Sequence, residues 1–187
     1  MRVKLYFIGA GPGDPELLTL KAAKILRKAG VIIFAGSLVN PELLKLAPPQ
    51  AKIYDSSRMT LEEVLRVLHK AKATKKIVAR LHTGDPSLYG AIQEQMAWCD
   101  RENIFYEVVP GVSSFCAGAA SLKQELTLPD ISQTVILSRL SGRTQVPKKE
   151  DLRKLAKIRA TLVLFLSVEK ISKIVKQLRA GYPRLTP

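Results

Sequence analysis

Residues 3–15 read VKLYFIGAGPGDP. An apolar run ends abruptly in three glycines, Gly9, Gly11 and Gly13, followed by Asp14 and Pro15. Val3 to Ile8 predicts a strand with a continuous apolar core, as a strand covered on both faces requires. Gly9 to Asp14 is a tight turn. Glu16 to Lys28 then predicts an amphipathic helix, with Leu17, Leu18, Leu20, Ala23 and Ile25 near one face. A strand, a glycine turn and a helix in that order open a soluble α/β enzyme built around a small-molecule cleft.

The pattern repeats along the chain. Val31 to Phe34 predicts a second buried strand, and Pro41 to Leu46 a short helix stopped by Pro48 and Pro49. Thr60, with Glu63 three residues later, forms a capping box for a helix running to about Lys72. Ile77 to Leu81 predicts a third strand, Ser87 to Asp100 a helix, and Phe105 to Val109 another strand. Strands alternating with helices imply a mostly parallel sheet. Ligands of such sheets bind at the carboxyl ends of the strands. Three turns fall there: Gly9 to Asp14, Thr83 to Gly90, and Pro110 to Ser114.

After Ser121 the pattern changes. Thr134 to Leu137 predicts a strand and Ser138 to Pro147 a polar loop. Leu152 to Ile158 predicts a helix, Thr161 to Leu166 a strand, and Val168 to Leu178 a helix. The expected organisation is two α/β domains, 1–120 and 121–187, the second thin for an independent core.

Composition narrows the class. The chain has 187 residues, 47% hydrophobic and 25% charged, enough to bury a core and too apolar for disorder. Thirty Lys+Arg against 16 Asp+Glu leave a net charge of +14, a field that attracts anions. From Arg143 to Pro187 there are twelve Lys/Arg against three Asp/Glu. Cys99 and Cys116 form no CxxC pair, which argues against a disulfide scaffold or a zinc site. The first apolar run is too short for a signal peptide or a membrane span, so a reducing cytoplasm is expected.

The first turn invites a dinucleotide reading, since GxGxxG opens such sites. The third glycine position is Asp14, however, and Pro12 has no N–H for a phosphate. Asp14 suits an N-cap with Pro15 at the first helical position. Its carboxylate would occupy the positive helix end that a pyrophosphate needs, which demotes NAD binding. In the second turn, Asp85 could cap the helix after it. In the third, Ser113 and Ser114 could bind a ligand or cap a helix. No spacing of His82 with a serine and an acid supports a triad.

Taken together the motifs are specific. GAGPGDPELLTLKA at 9–22, SLVNPELL at 37–44, DSSRMTLEE at 55–63, RLHTGDPSLYGAIQEQ at 80–95, VPGVSSFCA at 109–117 and SQTVILSRLSGRTQVP at 132–147 resemble the tetrapyrrole methylases, the class III S-adenosylmethionine-dependent methyltransferases. The resemblance covers essentially the whole chain. It implies two α/β domains with the methyl donor S-adenosylmethionine in a cleft between them, usually in a homodimer. By motif position, Pro12, Thr83, Gly84, Asp85, Leu88, Ser113, Ser114 and Leu166 would line the cofactor site. Asp14, Ser57, Arg58 and Met59 would face the tetrapyrrole. Family members run longer, so the second domain is expected to be incomplete within these residues.

The implied activity is methylation of C11 of precorrin-4 or cobalt-precorrin-4 in cobalamin synthesis. Another precorrin or uroporphyrinogen III stays open as substrate, and so does a nucleic-acid-binding relative of the fold. Aromatic residues are only 6%, which counts against stacking on bases. Displacement of a methyl group from a sulfonium by a ring carbon needs no activated Ser, Cys or metal. Arg58, Arg80, Arg139 and Arg143 are candidates to pair with substrate carboxylates, with a solvated surface as the alternative for each.

Overall fold

The structure is a computed structural model that describes residues 4–74, 76–142 and 144–186. The chain divides into two compact units, 1–117 and 118–187.

In the first unit five parallel strands form one sheet. They are β1 (Lys4–Gly9), β2 (Val31–Phe34), β3 (Lys52–Asp55), β4 (Val78–His82) and β5 (Phe105–Val109), in the order β3-β2-β4-β1-β5. Its helices are α1 (Leu20–Leu26), α2 (Leu61–Ala73) and α3 (Gln93–Arg101), and α4 (Ser114–Ser121) runs across the division between the units. The period of two along the strands divides the core. Tyr6, Ile8, Ile32, Ala79 and Leu81 pack with Ala22 and Leu26 of α1. Leu5, Phe7, Val31, Ile33 and Val78 pack on the other face with Val64, Leu68 and Ala71 of α2 and Cys99 of α3. Burial raises the Cys99 thiol to about 11, so this cysteine is core and not nucleophile.

The strand order places β4, β1 and β5 side by side, so the three turns that follow them meet at one edge of the sheet. β1 and β4 are in register from Leu5–Val78 to Gly9–His82, and β1 and β5 from Lys4–Phe105 to Ile8–Val109.

Local structure departs from expectation in three places. The predicted helix over Glu16 to Lys28 is a short 3-10 turn, Pro15–Leu17, and then α1. Thr19 is extended and caps α1 by accepting from the Ala22 N–H. The predicted helix over Ser87 to Asp100 begins only at Gln93, because Tyr89 and Ala91 take left-handed φ of 56° and 49°. β3 went unread. The capping box is present: Thr60 Oγ1 accepts from the Glu63 N–H and a Glu63 carboxylate oxygen from the Thr60 N–H.

The second unit pairs two parallel strands, β6 (Val135–Arg139) and β7 (Thr161–Phe165), with α5 (Leu152–Ala156) and α6 (Ile171–Leu178). Leu152, Ala156, Ala160 and Ile174 are its buried apolar side chains. Ser167 is buried, its Oγ accepting from the Leu140 N–H and donating to the Phe165 carbonyl. Among the described residues no helix is long and apolar enough to cross a membrane.

Candidate active site

The three turns are stitched by backbone. The Ala10 N–H donates to the His82 carbonyl at 2.7 Å. Gly11 and Gly84 exchange hydrogen bonds of 3.3 and 2.8 Å in an isolated antiparallel bridge. Asp85 ties the third turn to the second: one carboxylate oxygen accepts from the Gly111 N–H at 2.9 Å, the other from the Ser87 N–H at 2.8 Å. Its capping role is therefore on a turn and not on a helix.

The approach is too close for side chains. A Cβ on Gly9 would lie 2.5 Å from Gly111 Cα and 2.6 Å from the Gly84 oxygen. A Cβ on Gly111 would lie 2.3 Å from that same oxygen. The obstructing atoms are backbone and cannot turn aside. Gly84 has φ +60°, a left-handed conformation glycine adopts without strain.

Seven of the expected cofactor residues lie on the three turns that this seam joins. Gly84 and Ser113 are buried; Pro12, Asp85 and Leu88 are half-buried; Thr83 and Ser114 are exposed. The Gly84 α-carbon faces Ser113 and the Ser114 N–H, at 3.6 and 3.7 Å from a built Cβ. Leu166, the eighth, belongs to the second unit, where it follows β7 with φ 51° and an exposed side chain.

The expected substrate residues lie on neighbouring loops of the first unit. Asp14 is exposed and its carboxylate accepts from the Glu16 N–H at 2.9 Å, the predicted cap with Pro15 at the first position. The loop after β3 is a 3-10 turn, Ser56–Arg58, capped by Asp55. Hydrogen bonds from Ser57 hold the Asp55 carboxyl below its usual range, with a smaller contribution from the Arg58 charge. Ser57 and Arg58 are exposed, whereas Met59 is half-buried and packs on the α2 and α3 face of the core.

Other arginines stand elsewhere than a surface reading places them. Arg80 is buried, donating from Nη1 to Ser56 Oγ at 2.9 Å and from Nε to Gln95 Oε1 at 3.4 Å. Burial lowers its pKa to about 10. Arg139 spends its guanidinium on the loop after β6, on the Leu140 and Thr144 carbonyls and Thr144 Oγ1. Arg143 lies outside the described residues.

Sequence reasoning missed one position, Asn40, and set another, His82, aside. Asn40 donates to the Gly13 carbonyl at 2.7 Å while accepting from the Glu42 N–H, pinning the first turn to the loop after β2. His82 is buried with no hydrogen-bond partner at Nε2, its ring 6.1 Å from that of Phe7. Burial, then the neighbouring Arg80 charge, push its pKa down to about 3, opposed by a hydrogen bond with the Gly90 backbone. For His82 the available signal was a strand, VARLH, that is otherwise apolar but carries Arg80 and His82.

Residues 4–187 match the family described as Tetrapyrrole (Corrin/Porphyrin) Methylases. A cobalt-precorrin-4 C(11)-methyltransferase of Methanocaldococcus jannaschii is 54% identical over 185 residues, 98% of this chain and 71% of that protein. The X-ray structure of a cobalt precorrin-4 methyltransferase of cobalamin biosynthesis superposes with a TM-score of 0.92 at 47% identity, covering 96% of this chain and 75% of that one. A uroporphyrin-III C-methyltransferase from Thermus thermophilus, solved with S-adenosylhomocysteine, has a TM-score of 0.78 at 34% identity over 96% of this chain and 73% of that one.

Proposed function

The chain belongs to the tetrapyrrole methylase family, and from that premise we infer that it transfers a methyl group to C11 of cobalt-precorrin-4, or of precorrin-4, in cobalamin biosynthesis. The supporting relatives share about half of its residues, and one carries that activity in its name. The observation that carries the reading is the seam of Gly9, Gly84 and Gly111, which joins the turns after β1, β4 and β5 through backbone at the carboxyl edge of the sheet. Ligands of parallel sheets bind at that edge.

S-adenosylmethionine, when bound, supplies an electrophilic methyl group on its sulfonium. The residues to hold it in the first unit are Pro12, Thr83, Gly84, Asp85, Leu88, Ser113 and Ser114. Glycine at the seam lets backbone carbonyls and N–H groups approach the ligand directly. Thr83 and Ser114 add exposed hydroxyls, each able to donate and accept. Asp85 spends one oxygen on Gly111 and one on Ser87, so it fixes the geometry of both turns. The protein's contribution is orientation: holding donor and acceptor carbon in line within van der Waals reach removes an entropic barrier of about 7–11 kcal/mol.

Ser57, Arg58 and Met59, with Asp14, form the tetrapyrrole side. Arg58 is exposed and able to pair with a substrate carboxylate. The excess of 14 positive charges draws a polycarboxylate toward the protein.

The test is a methyl-transfer assay. Protein incubated with methyl-labelled S-adenosylmethionine and, separately, cobalt-precorrin-4, precorrin-4 and uroporphyrinogen III is expected to label a precorrin-4 ring at C11. Label on uroporphyrinogen III alone would move the substrate within the family, and no label on any would overturn the reading.

A further inference from the structure

The sheet face covered by α2 and α3 carries a charge with no counter-charge. Arg80 is 8% exposed and follows Val78 on that face. Its hydrogen bonds go to two neutral acceptors, Ser56 Oγ and Gln95 Oε1. Among the described residues no Asp or Glu lies within ion-pair distance of it, whereas five other Lys and Arg side chains have such a partner. Asp55, beside Ser56 in sequence, is engaged instead with Ser57 and influenced by Arg58. His82, two residues along the same face, offers no anion. A guanidinium buried without an anion is a substantial cost.

The location suggests what offsets that cost. Arg80 is opposite Ile33 in the β2–β4 register, next to the carboxyl edge of the sheet. Its Nη1 reaches Ser56 in the loop after β3, and the Ser56 hydroxyl in turn donates to the Phe34 carbonyl at 2.9 Å. One end of the guanidinium is thus pinned under the Ser56–Arg58 turn. Its other N–H groups have no protein acceptor among the described residues. A planar fork with free donors, held rigid in a low-dielectric floor, suits one carboxylate.

We propose that Arg80 is a specificity-determining residue whose buried guanidinium accepts a carboxylate of the tetrapyrrole at the floor of the Ser56–Arg58 turn. This rests on the reading that the turn faces the tetrapyrrole. The missing anion arrives with the substrate, so the interaction discriminates in favour of rings with an acidic side chain at that position.

Three variants separate the anchor from a purely structural role. Arg80→Gln is expected to raise KM for cobalt-precorrin-4 about tenfold or more, leaving kcat and the affinity for S-adenosylhomocysteine within about twofold. Arg80→Lys is expected to recover part of the loss. Ser56→Ala removes the tie to the turn but keeps the charge, and is expected to hold KM near the parent value. An unchanged KM in Arg80→Gln would overturn the proposal, as would a rise in Ser56→Ala equal to that in Arg80→Gln. If Arg80→Gln does not fold, the parent protein labelled with ¹⁵N-arginine is titrated with uroporphyrin III. The Arg80 Nε–H signal, assigned by its loss in Arg80→Lys, is expected to shift, and a signal that stays in place overturns the anchor. Failure of the parent protein to methylate any tetrapyrrole would instead count against the functional reading, while the titration still reads Arg80.

Discussion

Two stretches of the same sheet edge are built by opposite means. The seam after β4, β1 and β5 is backbone against backbone: Gly9 and Gly111 approach each other and the Gly84 carbonyl until no Cβ fits on either. The loop after β3 is side chain against backbone, with Asp55 capping Ser57 and Ser56 bridging Arg80 and Phe34. The first arrangement holds one geometry and tolerates almost no substitution. The second exposes Ser57 and Arg58 and can vary its side chains without moving the sheet. In the proposed reading the first region serves the shared donor and the second the tetrapyrrole.

The sharpest way to break that contrast is to add one carbon to the seam. Gly111→Ala places a methyl group 2.3 Å from the Gly84 oxygen and 2.7 Å from Gly9 Cα. The expected loss is about 3 kcal/mol or more in urea unfolding, since backbone cannot step aside, with S-adenosylhomocysteine binding lost as well. A folded variant with parent affinity would mean the seam is not tight.

His82 offers the next largest effect, because it lies at the end of β4 below both regions. Its pKa falls from 6.5 to about 3 on folding. The unfolded chain therefore binds a proton that the folded one refuses, and the stability it contributes is complete above about pH 6.5. As pH falls from there toward 3, stability should drop by up to about 1.4 kcal/mol per pH unit. Unfolding curves across that window are expected to flatten in His82→Phe; an identical slope would locate the acid sensitivity elsewhere.

Asp85→Ala removes the acceptor from the Gly111 and Ser87 N–H groups and should cost about 2 kcal/mol. It should weaken the cofactor more than the tetrapyrrole, measured as separate affinities. Gly118→Ala tests the converse on α4, where a Cβ meets nothing within 4 Å. It should stabilise by about 0.5–1 kcal/mol. Arg58→Ala on the exposed turn should leave stability within about 0.5 kcal/mol while raising KM for the tetrapyrrole. Equal effects of Asp85→Ala and Arg58→Ala on the two ligands would erase the division between the regions.

The seam was legible in the sequence because tight backbone contact demands glycine, and GAGPGD, TGDPSLYG and PGVSS carry it at strand ends. What they could not reveal was which glycine meets which, since that depends on β1 lying between β4 and β5 although β4 follows it by some seventy residues. Helix boundaries misled where φ changes sign without a glycine. Tyr89 and Ala91 look compatible with a helix, yet both are left-handed. β3 is four residues long with Ile53 exposed, so it lacks the apolar run that marks β1. Arg80 and His82 were visible as polar residues within VARLH, but their burial comes from α2 and α3 closing over that face.

The most direct test of the central claim is calorimetric titration of the protein with S-adenosylhomocysteine, alongside Gly111→Ala and Arg58→Ala. The seam as cofactor wall predicts saturable binding to the parent, the same affinity in Arg58→Ala, and none in Gly111→Ala. No binding to the parent, or binding undisturbed by Gly111→Ala and weakened by Arg58→Ala, would contradict it.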